Sequence, residues 1–94
     1  MLTMPTIHLT IKGRVQGVFY RATAKEVADE IGLKGWIKNT DNDDVEATVT
    51  GNDEQLKKFI DWCWQGPQRA KVEDVLTEIV EDEMFDDFKV IRRQ

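Results

Sequence analysis

Between Ile7 and Ile31 the spacing of apolar side chains changes period, and the change happens across a glycine-bearing loop. Ile7, Leu9 and Ile11 alternate with His8, Thr10 and Lys12, which is the pattern of a strand with one buried face. Tyr20, Ala24, Val27, Ala28 and Ile31 then fall on one helical face, and Gly32 followed by Leu33 reads as a helix stop with an apolar contact beyond it. A strand that feeds a helix through so short a loop commits the chain to packing helix on sheet. The junction, Gly13-Arg14-Val15-Gln16-Gly17-Val18-Phe19-Tyr20-Arg21, is also a place where an anion can be held. Gly17 permits backbone angles or a close approach that a side chain would block, so the N–H groups of Val15 to Arg21 can converge at the positive end of a helix. Arg21 adds a planar, charged fork that matches phosphate oxygens. An ordinary bend followed by a solvated arginine would look the same locally, and the Walker spacing of a nucleotide P-loop is absent.

The remaining elements alternate between the two periods. Lys34 to Asp41 reads as a second strand and Val45, Ala47 and Val49 mark a third, joined by the turn-forming run Asp41-Asn42-Asp43-Asp44 as a hairpin. Asn52 is placed to cap a second helix with Gln55 as its capping-box partner, and Asp53 and Glu54 suit its first turn. Leu56, Phe59, Ile60 and Cys63 give that helix its apolar face and Gly66-Pro67 ends it, while Trp62 and Trp64 cannot both share the face. Val72 to Val80 is strand-like without clean alternation, which suggests a bulge, and the acidic run Glu81-Asp82-Glu83 reads as a solvated connection. Phe88, Val90 and Arg92 point one way in a short last strand. The order is βαββαβ with a late edge strand, which predicts an α+β sandwich of ferredoxin-like topology: an antiparallel sheet with two helices on one face.

Ninety-four residues suit one domain spanning 1–94. A formal net charge of -5 argues against a general nucleic-acid binder. Residues 1–40 nevertheless hold six Lys/Arg against three acids, a balance of +3, so the rest of the chain carries -8 and the loop lies in the positive portion. A single cysteine forms no internal disulfide, which fits a reducing, cytoplasmic setting, and Cys63 among apolar neighbours reads as a buried structural thiol. Met1 to Thr6 has neither a basic region nor a long apolar run, and no stretch reaches membrane-spanning length. His8 falls on the polar face of its strand, where a cross-strand or solvated role is favoured over that of a catalytic base. No Cys/His cluster or carboxylate pair implies a metal or other cofactor.

Four segments in order, Gly13 to Arg21, Gly32-Leu33-Lys34-Gly35-Trp36-Ile37-Lys38-Asn39, Val45-Glu46 with Gly51 before a helix, and Gly66-Pro67, resemble the acylphosphatase family over Ile7 to Arg92. The resemblance implies a ferredoxin-like α/β sandwich that hydrolyses the carboxyl-phosphate bond of acyl phosphates. It places the phosphate-binding loop on Val15, Gln16, Gly17, Val18, Phe19, Tyr20 and Arg21, with Arg21 as phosphate ligand and Asn39 as the residue that positions attacking water. The family usually has a glycine in the hairpin where this chain has Asn42-Asp43-Asp44, residues that tolerate left-handed turn positions at modest cost.

The implied chemistry is consistent with the residues present. A carboxylate leaving group is stable as an anion and needs no general acid, so the lack of a suitable histidine is no obstacle. Catalysis then requires neutralised phosphoryl oxygens and a water held in line with the breaking bond. Two other classes use similar parts: a ferredoxin-like module that senses a phosphorylated metabolite without turnover, and an RNA-binding sheet built around an exposed aromatic such as Trp36. The expected partners are an acyl phosphate and inorganic phosphate, with no nucleic acid or membrane, and the expected state is a monomer.

Overall fold

The computed structural model describes residues 4–92, so the readings of the first three residues and of the last two lie outside the described residues. The elements are β1 (Thr6–Arg14), α1 (Tyr20–Ile31), β2 (Lys34–Asn39), β3 (Val45–Thr50), α2 (Asp53–Gln65), β4 (Lys71–Val80) and β5 (Phe88–Ile91). They form one five-stranded sheet in the order β4-β1-β3-β2-β5, with α1 and α2 packed against each other and against the sheet. Leu9, Ile11, Ile37, Val45, Ala47 and Val49 from the sheet meet Ala24, Ala28, Phe59 and Cys63 from the helices in a core from which water is excluded.

Local chemistry accounts for the element ends. Asn52 Oδ1 accepts from the Gln55 N–H at 2.8 Å and Gln55 Oε1 from the Asn52 N–H at 2.9 Å, the reciprocal capping box that satisfies the start of α2. At the other end of α1 the N–H groups of Gly32 and Leu33 both reach Ala28 O, and Leu33 is buried behind the turn. Trp64 is exposed and Trp62 packs on Tyr20 and Phe59, so the two tryptophans divide as their spacing requires.

Two expectations need correction. The sheet is mixed, because β5 pairs parallel with β2 while the other three pairings are antiparallel. The chain leaves β4 at one edge and runs beneath the ends of β1 and β3, where Glu83 bonds the hydroxyls of Thr6 and Thr50. It therefore enters the far edge from the end at which β2 begins, and Gly35 N–H bonds Asp87 O there. The second strand also stops at Asn39 instead of Asp41, because Thr40 opens the hairpin turn: its N–H bonds Asp44 O, and its hydroxyl accepts from Asn42 and Asp44. Asp43 takes the left-handed position of that turn, with φ 68°. The suspected irregularity in β4 is a bulge at Glu73, since Lys12 faces Asp74 and Gly13 faces Val72.

Candidate active site

β1 delivers the loop to the start of α1 at the end of the sheet where β2 stops. Gly17 (φ 74°) and Phe19 (φ 65°) are left-handed while Val18 between them is not. Alternation of this kind turns successive N–H groups toward one point and makes an anion-binding nest. A left-handed phenylalanine costs roughly 1–2 kcal/mol, strain of a sort that persists where the surrounding fold imposes it. Phe19 is also the N-cap of α1 and offers no side-chain acceptor. The first N–H groups of α1 thus face the loop without the cap that α2 receives, and the helix dipole adds to their partial positive charge.

Gly17, Phe19, Tyr20 and Arg21 share a depression of about 450 Å³ with Asn39, Val90 and Arg92. Among the described residues no acidic side chain lines it, although the chain carries 18 Asp/Glu. Arg21 stands on the first turn of α1, and Asn39 is the last residue of β2, paired with Val45. Asn39 Oδ1 is buried and has no hydrogen-bond partner among the described residues, a costly state for an amide oxygen. The sequence-predicted pair, Arg21 and Asn39, therefore meets at one site, and Asn39 brings a buried, unmet acceptor to its lining.

Two features were not foreseen. Gln16, expected only for its backbone N–H, uses its side-chain amide to donate to Thr40 O at 2.9 Å and Asp44 O at 2.8 Å, which straps the loop to the hairpin directly after Asn39. Arg92 lines the same depression because the parallel register sets Ile91 beside Lys38, one step before Asn39. Its alternation with Phe88 and Val90 is visible in the sequence, but the pairing that brings it to the loop is not.

Other candidates are engaged elsewhere. Lys12 pairs with Asp44 at 3.0 Å, and neither it nor Arg14 lines the depression. His8 bonds Thr48 Oγ1 at 2.9 Å and faces Glu46 at 3.4 Å across the strands. Trp36 is half-buried, with His8 at its edge and Lys38 Nζ 5.4 Å from its ring centre, so it is not a free platform for a base. Cys63 is fully buried, and burial pushes its thiol up to about 12, which keeps it protonated and unreactive near neutrality. The Tyr20 hydroxyl donates to Cys63 O at 2.7 Å and ties the start of α1 to the end of α2. Among the described residues no group of three or more His, Cys, Asp or Glu could hold a metal ion, and no helix is long and apolar enough to cross a membrane.

Comparison with known proteins agrees with this fold. A family model described as Acylphosphatase matches residues 7–90. An acylphosphatase of Haloarcula marismortui is 42% identical over 83 residues, which cover 88% of this chain and 91% of that protein. The structure of an acylphosphatase from Coxiella burnetii superposes with a TM-score of 0.91 at 37% identity, covering 95% of this chain and 94% of the other. A Bacillus subtilis acylphosphatase structure gives a TM-score of 0.90 at 30% identity, covering 94% and 99%.

Proposed function

The chain belongs to the acylphosphatase family and hydrolyses acyl phosphates, and from that premise we propose that its loop and Arg21 hold the phosphoryl group while Asn39 holds the attacking water. The observation that carries this division is the buried, unpartnered Oδ1 of Asn39 in the same depression as Arg21 and the nest of Gly17 to Arg21.

The phosphoryl oxygens bond the loop N–H groups from Val15 to Arg21 and the guanidinium of Arg21, which can grip two of them at once. Arg92 adds a second positive charge at the rim. Asn39 Oδ1 accepts a hydrogen bond from water and orients its lone pair toward phosphorus, in line with the bond to the acyl oxygen. The water oxygen bonds to phosphorus, the phosphorus to acyl-oxygen bond breaks, and the carboxylate leaves with the electron pair. The water's proton passes to a phosphate oxygen, because an amide is no base at this pH. Rate enhancement comes from fixed donors and positioning, with Arg21, Arg92 and the loop N–H groups meeting the phosphoryl charge in place of a metal ion.

One copy of the chain supplies every residue in this scheme, which suits a monomeric domain over residues 1–94. Its lone buried thiol suits a reducing compartment such as the cytoplasm. Inorganic phosphate should inhibit competitively and raise the unfolding temperature, since it binds the folded loop only. Arg21→Ala should remove both effects together with turnover of acetyl phosphate. An Arg21→Ala protein that keeps wild-type protection by phosphate would place the ligand site elsewhere.

A further inference from the structure

We propose that Phe19 is the acyl-group platform of this site and selects acyl phosphates whose acyl group is aromatic over those of acetyl size. The inference rests on the phosphate lying in the loop as described above, and adds what the rest of the substrate touches.

Phe19 is 74% exposed, although Val18 and Tyr20 on either side of it are buried. The aromatic pairs among the described residues join His8 with Trp36, Tyr20 and Phe59 with Trp62, and Phe59 with Phe88; Phe19 is in none of them. The ring therefore contributes nothing to the core, yet it stands on a left-handed backbone that a smaller or more tolerant residue would adopt at less cost. An outlier of this kind is a pointer to function when it lines a site, and Phe19 lines the depression that contains Arg21 and Asn39.

In-line displacement fixes which part of the substrate meets it. Water is held at the interior end, where Asn39 Oδ1 is buried, so the leaving acyl group must point the opposite way, toward the exposed rim. The exposed residues of that depression are Gly17, Phe19, Ala22 and Arg92, with half-buried Val90 beside them. Phe19 supplies the large apolar surface on this rim. An aromatic acyl group can lie against its ring and shield it from water, whereas an acetyl group is too small to cover it.

The test compares benzoyl phosphate with acetyl phosphate in wild type, Phe19→Asn and Phe19→Tyr. Asn accepts the left-handed backbone, so the ring is removed without imposing new strain. The ratio of kcat/KM for benzoyl over acetyl phosphate should fall about tenfold in Phe19→Asn, mainly through KM for benzoyl phosphate, and should be retained in Phe19→Tyr. On the wild-type protein alone, benzoylphosphonate should inhibit about tenfold more tightly than acetylphosphonate. An unchanged ratio in folded Phe19→Asn, an equal fall for both substrates, or equal inhibition by the two phosphonates would overturn the proposal. A wild-type protein that turns over neither substrate would instead overturn the functional reading beneath it.

Discussion

Gln16 is the residue whose removal should reveal how the loop and the strand that carries Asn39 are kept in register. Its side-chain amide makes two hydrogen bonds, at 2.9 and 2.8 Å, to the carbonyls of Thr40 and Asp44, which follow Asn39 in the hairpin. Partly buried bonds of this kind contribute roughly 0.5–1.5 kcal/mol each. Asp44 O keeps its bond from Thr40 N–H, so Gln16→Ala strands at most one carbonyl, and a loss of about 2 kcal/mol is expected. For a domain of this size that corresponds to a fall in Tm of roughly 8–16 °C. Activity should fall further than binding. The nest belongs to the loop and the start of α1, but the distance from nest to Asn39 is set through this strap, and displacement of a positioned group by about 1 Å costs on the order of a hundredfold in rate. We expect kcat to drop by about tenfold or more, with a smaller change in inhibition by phosphate. Gln16→Glu should be worse than Gln16→Ala, because a carboxylate would face two carbonyl oxygens. Thermal unfolding with steady-state kinetics reads both effects. A Gln16→Ala protein with wild-type Tm and kcat would show that the strap does not set the site geometry.

Chelator should leave hydrolysis of acetyl phosphate intact; a rate that vanishes with chelator and returns with Mg²⁺ would contradict the assignment of phosphate charge to arginine and backbone donors. Stability should fall in alkali, because Cys63 is raised by burial from the ordinary 9.0 of a thiol to about 12, and Tyr20 is raised above its ordinary 10.0 by burial and by Cys63. Both groups keep their protons longer in the folded chain than in the unfolded one, so their contribution is fully present below pH 9 and is lost as pH rises toward 12. A Tm series across that window, compared with Cys63→Ala, checks the sign: wild type should decline more steeply than the variant, and parallel curves would refute it.

The helices and the first three strands were legible, apart from the end of β2, because each carries a local signal. The stripe from Tyr20 to Ile31, the capping box of Asn52 and Gln55, and the alternation of Ile7, Leu9 and Ile11 are each read within one element. The parallel docking of β5 was not legible, since four residues without a local turn to their partner do not record which edge they join or in which direction. The site divides in the same way. Arg21 and the glycine-bearing loop could be identified as an anion-site candidate from residue chemistry, while Asn39 looked like an ordinary strand-end residue until the family resemblance singled it out. The straps from Gln16 and the arrival of Arg92 are tertiary facts: they depend on β2 lying beside β5 and on the hairpin folding back over the loop. Asp43 shows the converse, a family departure that the chemistry of aspartate in left-handed turns already accommodated.

The division of labour between phosphate holder and water holder is tested most directly by kcat and phosphate inhibition measured on Asn39→Ala, with circular dichroism to confirm the fold. Removal of the amide should lower kcat by about a hundredfold or more, the scale expected for one positioned transition-state hydrogen bond, while competitive inhibition by phosphate stays close to wild type. Asn39→Asp should not restore the rate, because a carboxylate beside the phosphoryl group repels it. A folded Asn39→Ala protein that turns over acyl phosphate at close to the wild-type rate would contradict the account, and the water would then have to be oriented by the loop or by Arg21.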